Sequence, residues 1–301
     1  MSGTVDFRCG TVVLAGRPNV GKSTLLNALI GQKLSIVTPK AQTTRHRIRG
    51  ILTAPRYQMI LVDTPGAGAP AGSRLQHAMS REAAAGVAAA DAALLVVAAP
   101  RWTTEDGVVL AKLASVGCPI VLAVNKIDRV RPRDKLLPLL ARAALRHDFA
   151  AVVPVSAEHG ENLGRLLDAV VGLLPAGPPA YPAEQVTDRS ERFLAAEVLR
   201  EQLMLVLSDE LPYGIAVEIE RFAATSDGRT EIDAVIWVER VGQRKIVIGA
   251  KGARLKAVGQ AARLALNELF GRRVHLATWV KVREGWTDDD QLLRRLGHDS
   301  P

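Results

Sequence analysis

Short runs of aliphatic and β-branched residues alternate with helical periodicity through the first half of the chain. The runs are Thr11–Ala15, Tyr57–Val62, Ala93–Ala98, Pro119–Val124 and Ala151–Val155. Each is close to continuously apolar, as strands covered on both faces must be. The pattern predicts an α/β domain with a mostly parallel sheet, and ligands on such sheets bind beyond the C-terminal strand ends. Between Gly172 and Pro182 the chain reads GLLPAGPPAYP, too rich in Pro and Gly to continue a helix. Beyond it come helical spacing over Glu191–Ser208 and alternating stretches at Ile215–Phe222 and Glu231–Glu239. A helical piece ending in Ile246-Val247-Ile248, a Gly-flanked turn, a helix over Ala253–Phe270 and a strand over Arg273–Val282 follow. The order α-β-β-α-α-β predicts a smaller α+β domain. Expected limits are residues 1–175 for the first domain, 176–190 for a linker, 191–285 for the second domain and 286–301 for a tail.

Apolar residues are 48% and charged residues 23%, an ordinary soluble composition. The stretch Ala83–Ala99 is apolar enough to raise a membrane span, but Asp91 interrupts it before the ~18 residues a span needs. Cys9 and Cys118 are too few for a disulfide framework and have no metal-like neighbours, so a reducing cytoplasm is expected. Met1–Arg8 lacks the apolar core of a secretory signal. The net charge of +8 is unevenly spread. Arg240–Arg283 holds eleven Lys or Arg against Glu268 alone, +10, whereas Tyr181–Glu239 holds five basic and thirteen acidic residues, −8. A swing of that size inside one small domain points to a polyanion-binding face.

Gly16-Arg17-Pro18-Asn19-Val20-Gly21-Lys22-Ser23 follows a strand and opens a helix expected at Thr24–Ile30, the context of a phosphate-binding loop. The glycines let successive N–H groups face phosphates, the helix N-terminus adds its dipole, and Lys22 neutralises the β and γ oxygens. Ser23 is placed to ligate Mg²⁺. Asp63-Thr64-Pro65-Gly66 follows a buried strand, where Asp63 would hold Mg²⁺ through water and the Gly66 N–H would sense a γ-phosphate. Asn125-Lys126-Ile127-Asp128 also follows a strand. The Asp128 carboxylate can accept from guanine N1–H and N2–H₂, which adenine cannot supply. Asn125 would reach the other base edge, and the Lys126 stem would stack on the ring. Ser156-Ala157 follows the last strand, with the Ala157 N–H expected at guanine O6. Four such elements in this order point to GTP or GDP with Mg²⁺.

At this point the chain resembles the translation-factor-like branch of small GTPases. In that resemblance Thr43-Thr44-Arg45 supplies a switch threonine that ligates Mg²⁺ only with the γ-phosphate present, Thr44 being favoured over Thr43. Lys22, Thr44 and Gly66 are the expected catalytic set. Position 67 is Ala where Ras-like enzymes place a water-orienting glutamine, so slow intrinsic hydrolysis is expected. Asn19 offers a compensation, because related GTPases use an asparagine there to bind K⁺; the other reading is support of the turn.

Val247-Ile248-Gly249-Ala250-Lys251-Gly252-Ala253-Arg254-Leu255 carries a GxxG turn between helices. In KH modules such a loop clamps the backbone of a short single strand beside an apolar groove. Lys251, Arg254 and Lys256 add charge at that edge, while Ile248 and Leu255 would line the groove with Gly249, Ala250 and Gly252 at the backbone. The α-β-β-α-α-β order matches the type II KH arrangement. The GRPNVGKS loop, the Gln-Thr-Thr-Arg switch, Thr187-Asp188-Arg189-Ser190, Leu211-Pro212-Tyr213 and Trp279-Val280-Lys281-Val282 together resemble the Era family over about Gly10–Gly297. That resemblance implies binding near the 3′ end of small-subunit ribosomal RNA, a role in small-subunit assembly, a monomer, and peripheral association with the inner face of the cell membrane. A competing reading is an RNA-binding assembly factor with negligible GTP turnover, which Ala67 keeps in view.

Overall fold

In a computed structural model of the chain, residues 7–40, 43–65, 72–207 and 211–298 are described. The first half folds as β1 (Arg8–Ala15), α1 (Lys22–Ile30), β2 (Ile48–Ala54), β3 (Tyr57–Asp63), α2 (Arg74–Ala88), β4 (Ala92–Ala98), α3 (Thr104–Ala114), β5 (Ile120–Asn125), α4 (Leu136–Ala144), β6 (Ala151–Pro154) and α5 (Leu163–Val171). The strands form one sheet in the order β2-β3-β1-β4-β5-β6. All pairs are parallel except β2 with β3. β4 and β5 are buried along almost their whole length, which explains their continuous apolar pattern. Val13, Leu95, Val97, Leu122 and Val124 pack against Val109, Leu113 and Ala143 of α3 and α4. The alternate residues Val12, Leu14, Leu94, Val96 and Val121 are as fully buried, on the opposite face. Each buried aliphatic side chain is worth about 1.5–3 kcal/mol, so polar residues are held to the strand ends.

β2 was absent from the five apolar runs. Arg49 and Gly50 break its pattern, and its edge position asks for burial on fewer positions. A Cβ on Gly50 would lie 2.9 Å from Ile30 Cγ1, so any larger residue there makes the Ile30 side chain shift.

The second half folds as α6 (Glu191–Val206), β7 (Ile215–Ala224), β8 (Thr230–Val238), α7 (Val241–Ile248), α8 (Ala253–Phe270), β9 (Val274–Val282) and α9 (Asp290–Arg295). β7 pairs antiparallel with β8, and β8 parallel with β9. One face of this sheet closes on Val198, Leu199 and Leu203 of α6 and on Val258, Ala262 and Leu266 of α8. The last three recur every fourth residue, the stripe that a core-facing helix needs.

The described residues form two compact units whose limits differ from a cut within the proline-rich stretch. One takes the chain up to Ser35, from Thr44, and from Ser80 to Asp188; the other takes Ile36 to Thr43, the stretch ending at Met79, and the chain from Arg189. The expected linker is a strap on the first unit over most of its length. Gln58 Oε1 accepts from the N–H groups of Ala180 (2.7 Å) and Tyr181 (2.9 Å), and the Ile51 N–H donates to the Val186 carbonyl at 2.8 Å. The expected tail is also built in: Trp286 is fully buried with Leu292, Leu293, Ala216, Leu75 and Met79. No helix among the described residues is long and apolar enough to cross a membrane.

Candidate nucleotide and RNA-binding sites

The loop after β1 turns through Gly16, Asn19 at φ 62° and Gly21 at φ 101°. A Cβ on Gly16 would lie 2.3 Å from the Val96 carbonyl oxygen, and one on Gly21 2.4 Å from Asn125 Nδ2, so neither position takes a side chain. Gly21 caps α1, whose first residues are Lys22, Ser23 and Thr24. The buried Lys22 ammonium donates to the carbonyls of Gly16 (2.9 Å) and Arg17 (3.1 Å). Burial pushes its pKa down, against the raising field of Asp63. Arg17 forms an ion pair with fully buried Asp106 at 3.2 Å. Asp106 is also the capping-box residue of α3, accepting from the Thr103 N–H at 2.8 Å. Pro18 and Val20 complete the loop, Val20 fully buried.

Asp63 ends β3 with no exposure. Its Oδ2 accepts from Ser23 Oγ at 2.6 Å, Ser35 Oγ at 2.8 Å and Thr44 Oγ1 at 3.3 Å, and the Ser23 and Thr44 hydroxyls lie 3.0 Å apart. Its Oδ1 is buried with no hydrogen-bond partner among the described residues. Burial raises the carboxyl's pKa, opposed by Lys22 and the three hydroxyls. Two alcohols and a carboxylate with an unspent oxygen are hard donors that fit Mg²⁺. The geometry favours Thr44 over Thr43, whose hydroxyl donates instead to the Lys40 carbonyl at 2.7 Å. Ser35 was not among the expected residues. Thr64 ties its hydroxyl to the Leu14 carbonyl at 3.0 Å, ahead of Pro65. Gly66 and Ala67 lie outside the described residues.

On the base side, Asn125 makes contacts within the protein that its motif does not announce. Its Nδ2 donates to the Val20 carbonyl at 2.9 Å, and its Oδ1 accepts from the Ala157 N–H at 3.0 Å. The amide therefore braces the phosphate loop against the Ser156-Ala157 turn while its NH₂ carries a second hydrogen, and the Ala157 N–H expected at guanine O6 donates here to Asn125. Asn125 is 2% exposed, so the brace is sealed from water. Lys126, at φ 61°, sends its ammonium to the Asn19 carbonyl at 2.6 Å, so its stem spans from this loop to the phosphate loop. Asp128 Oδ1 accepts from Ser156 Oγ at 2.7 Å, and His159 Nδ1 lies 3.1 Å from the same hydroxyl. Burial alone would raise the pKa of Asp128, but the Ser156 bond, its own N–H, His159 and Arg129 together hold it below the usual carboxylate range. His159 and Ser35 carry no motif that marks them in sequence.

In the second unit, α7 ends at Gly249 (φ 74°, ψ 177°), Lys251 is left-handed at φ 50°, and Gly252 caps α8 at φ 78°. The two glycines differ. A Cβ on Gly249 would lie 2.7 Å from Arg254 Cβ, whereas one on Gly252 meets nothing within 4 Å. Gly249 therefore serves the fold itself, beyond the expected close approach of a ligand backbone. Ala250, Lys251 and Lys256 are exposed. Arg254 Nη1 donates to the Ile246 carbonyl, so its charge also caps α7. Ile248 and Leu255 are partly buried against the core beside Leu276 and Val282 of β9.

Residues 11–126 match the family model described as 50S ribosome-binding GTPase, and residues 210–287 match the KH domain model. The chain is 50% identical over 300 residues to GTPase Era of Stenotrophomonas maltophilia strain K279a, covering 99% of this chain and all of that one. A crystal structure of Era in complex with MgGDPNP and nucleotides 1506–1542 of 16S ribosomal RNA superposes with a TM-score of 0.93 at 36% identity, covering 98% of this chain and 100% of that one. An Aquifex aeolicus Era variant bound to GDP·AlF₄⁻ gives a TM-score of 0.92, at the same identity and coverage.

Proposed function

The chain belongs to the Era family of GTPases, and from that membership we propose that it is a GTP-driven switch that binds the 3′ region of small-subunit ribosomal RNA during small-subunit assembly. The observation that carries the reading is Asp63: a buried carboxylate at a strand end, with one oxygen unspent and two hydroxyls beside it. Ser23, Thr44 and Asp63 would hold Mg²⁺, which when bound offsets charge developing on the phosphate oxygens. Lys22 supplies the fixed positive charge, and the Gly21–Lys22 turn directs main-chain N–H groups toward the phosphates. Asp128, held ionised by Ser156, selects guanine; Asn125 keeps the two loops in register; the Lys126 stem forms a floor for the base. Gly249–Gly252, with Lys251, Arg254 and Lys256, would clamp single-stranded RNA, and Ile248 and Leu255 would border the bases. The relative whose structure was solved with a 16S RNA segment supports this RNA assignment.

Asn19 is proposed to help bind K⁺ and so speed hydrolysis. The test is phosphate release from GTP in K⁺ and in Na⁺, with and without an RNA ending in the 3′ segment of 16S RNA. Turnover raised by K⁺ and RNA binding that changes between GDP and a GTP analogue are expected. RNA affinity indifferent to the nucleotide would overturn the switch reading.

A further inference from the structure

We propose that Arg200, on α6, is a positioning residue for GTP hydrolysis, because its guanidinium fixes the peptide carbonyl that leads into Thr44. The proposal rests on the reading of Thr44 as the Mg²⁺-side threonine. Arg200 is buried, its side chain 3% exposed, and so is its partner Glu197 at 6%. Nε donates to Glu197 Oε1 at 2.7 Å and Nη2 to Oε2 at 2.6 Å, a two-pronged pair that fixes the guanidinium plane. Nη1 lies 3.3 Å from Met204 Sδ. The remaining Nη2 hydrogen goes to the Thr43 carbonyl oxygen at 2.5 Å. That oxygen belongs to the peptide whose nitrogen is Thr44's, so its direction sets how the Thr44 hydroxyl leaves the backbone.

The same helix region holds the segment at two further points. Glu201 Oε1 accepts from the Val37 N–H at 2.9 Å, and Lys40 Nζ donates to the Leu207 carbonyl. Inside the segment the Thr38 and Thr43 hydroxyls are 2.7 Å apart. Residues 37, 40 and 43 are thus anchored by a carboxylate, a carbonyl and a guanidinium from one rigid element. A buried ion pair is seldom more stabilising than apolar residues of like volume, so its worth here lies in geometry. Small misplacements of a reacting group are costly in rate, and a side chain locked by packing is the means of avoiding them.

The test uses the full-length protein with Arg200→Lys, which keeps the charge for Glu197 but loses the fork. A second variant, Glu197→Met with Arg200→Met, removes the grip without leaving a buried charge. Steady-state GTP hydrolysis, GDP affinity, the Mg²⁺ concentration for half-maximal turnover and the melting temperature are measured, beside Thr44→Ala. Expected are a kcat lowered about tenfold to a hundredfold, a higher Mg²⁺ requirement, and GDP affinity within about twofold of the parent, because GDP does not call on the threonine. In a Thr44→Ala background, Arg200→Lys should add nothing further. If Thr44→Ala slows hydrolysis while both Arg200 variants leave kcat and the Mg²⁺ requirement unchanged, the positioning role is wrong and the threonine reading stands. If Thr44→Ala itself changes nothing, the threonine reading fails first. Loss of GDP affinity and melting temperature in step with kcat would make Arg200 merely structural.

Discussion

Replacing Asp128 by Asn should shift base preference from guanine toward xanthine, and the neighbouring side chains say which way the new amide turns. Ser156 Oγ lies 2.7 Å from Asp128 Oδ1 and 3.1 Å from His159 Nδ1. With the Nδ1 proton of His159 directed at Ser156, the serine proton is directed at residue 128. An asparagine must then offer its oxygen to Ser156, which leaves its NH₂ where the second carboxylate oxygen stood. Guanine's N2–H₂ would face a donor, while xanthine presents a carbonyl there. Losing a charge-assisted bond and gaining an unmet donor costs about 2–4 kcal/mol, or roughly 30- to 1000-fold in Kd for GTP. Competition binding of GTP and xanthosine triphosphate reads this directly, and a variant that still prefers GTP would refute the assignment. The parent's pH dependence is a companion test. Because the folded pKa of Asp128 is depressed, the carboxylate stays charged above its ordinary range and is lost only as pH falls through the lower folded value. Guanine preference should therefore be flat through neutral pH and fail only in acid.

Lys22→Ala should remove most triphosphate affinity and hydrolysis while leaving the second unit folded, read by nucleotide binding and circular dichroism. Gly249→Ala should lower stability by about 1–3 kcal/mol or more, from a glycine-only backbone and a collision with Arg254; denaturant melts measure it, and unchanged stability would contradict the geometry. Gly252→Asp, in open space, should keep the domain folded but abolish RNA binding, since bulk and negative charge meet the RNA backbone. Lys251→Ala and Lys256→Ala should each lower the salt slope of RNA binding by about 0.7 without changing sequence preference; altered preference at an unchanged slope, in isotherms at several salt concentrations, would contradict a pure charge role.

What the sequence made legible is what a ligand dictates. Phosphates need main-chain N–H groups and a lysine after a strand, so GRPNVGKS is readable as it stands, and the parallel sheet follows from runs such as Ala93–Ala98. Residues whose purpose is set by another part of the same chain were not legible in that way. Asn125 is legible by its motif, but the bracing contacts at both ends of its amide are not, because an amide's identity does not say where its two ends point. Ser35 reaches Asp63 across 28 positions of sequence, a distance fixed only by the path of the intervening loop. The proline-rich stretch looked like a free linker because composition cannot reveal that Gln58 catches Ala180 and Tyr181. Glu197 and Arg200 stand three apart on a helix, the spacing of an ordinary solvated pair worth a few tenths of a kcal/mol. Their burial changes that reading, and so does their target. Arg200 holds a main-chain carbonyl, which every residue type supplies, so no choice of side chain at position 43 could have announced it. A contact of that kind leaves its trace on one partner only, as a charge placed where a helix packs, and it becomes meaningful once the chain is closed around it.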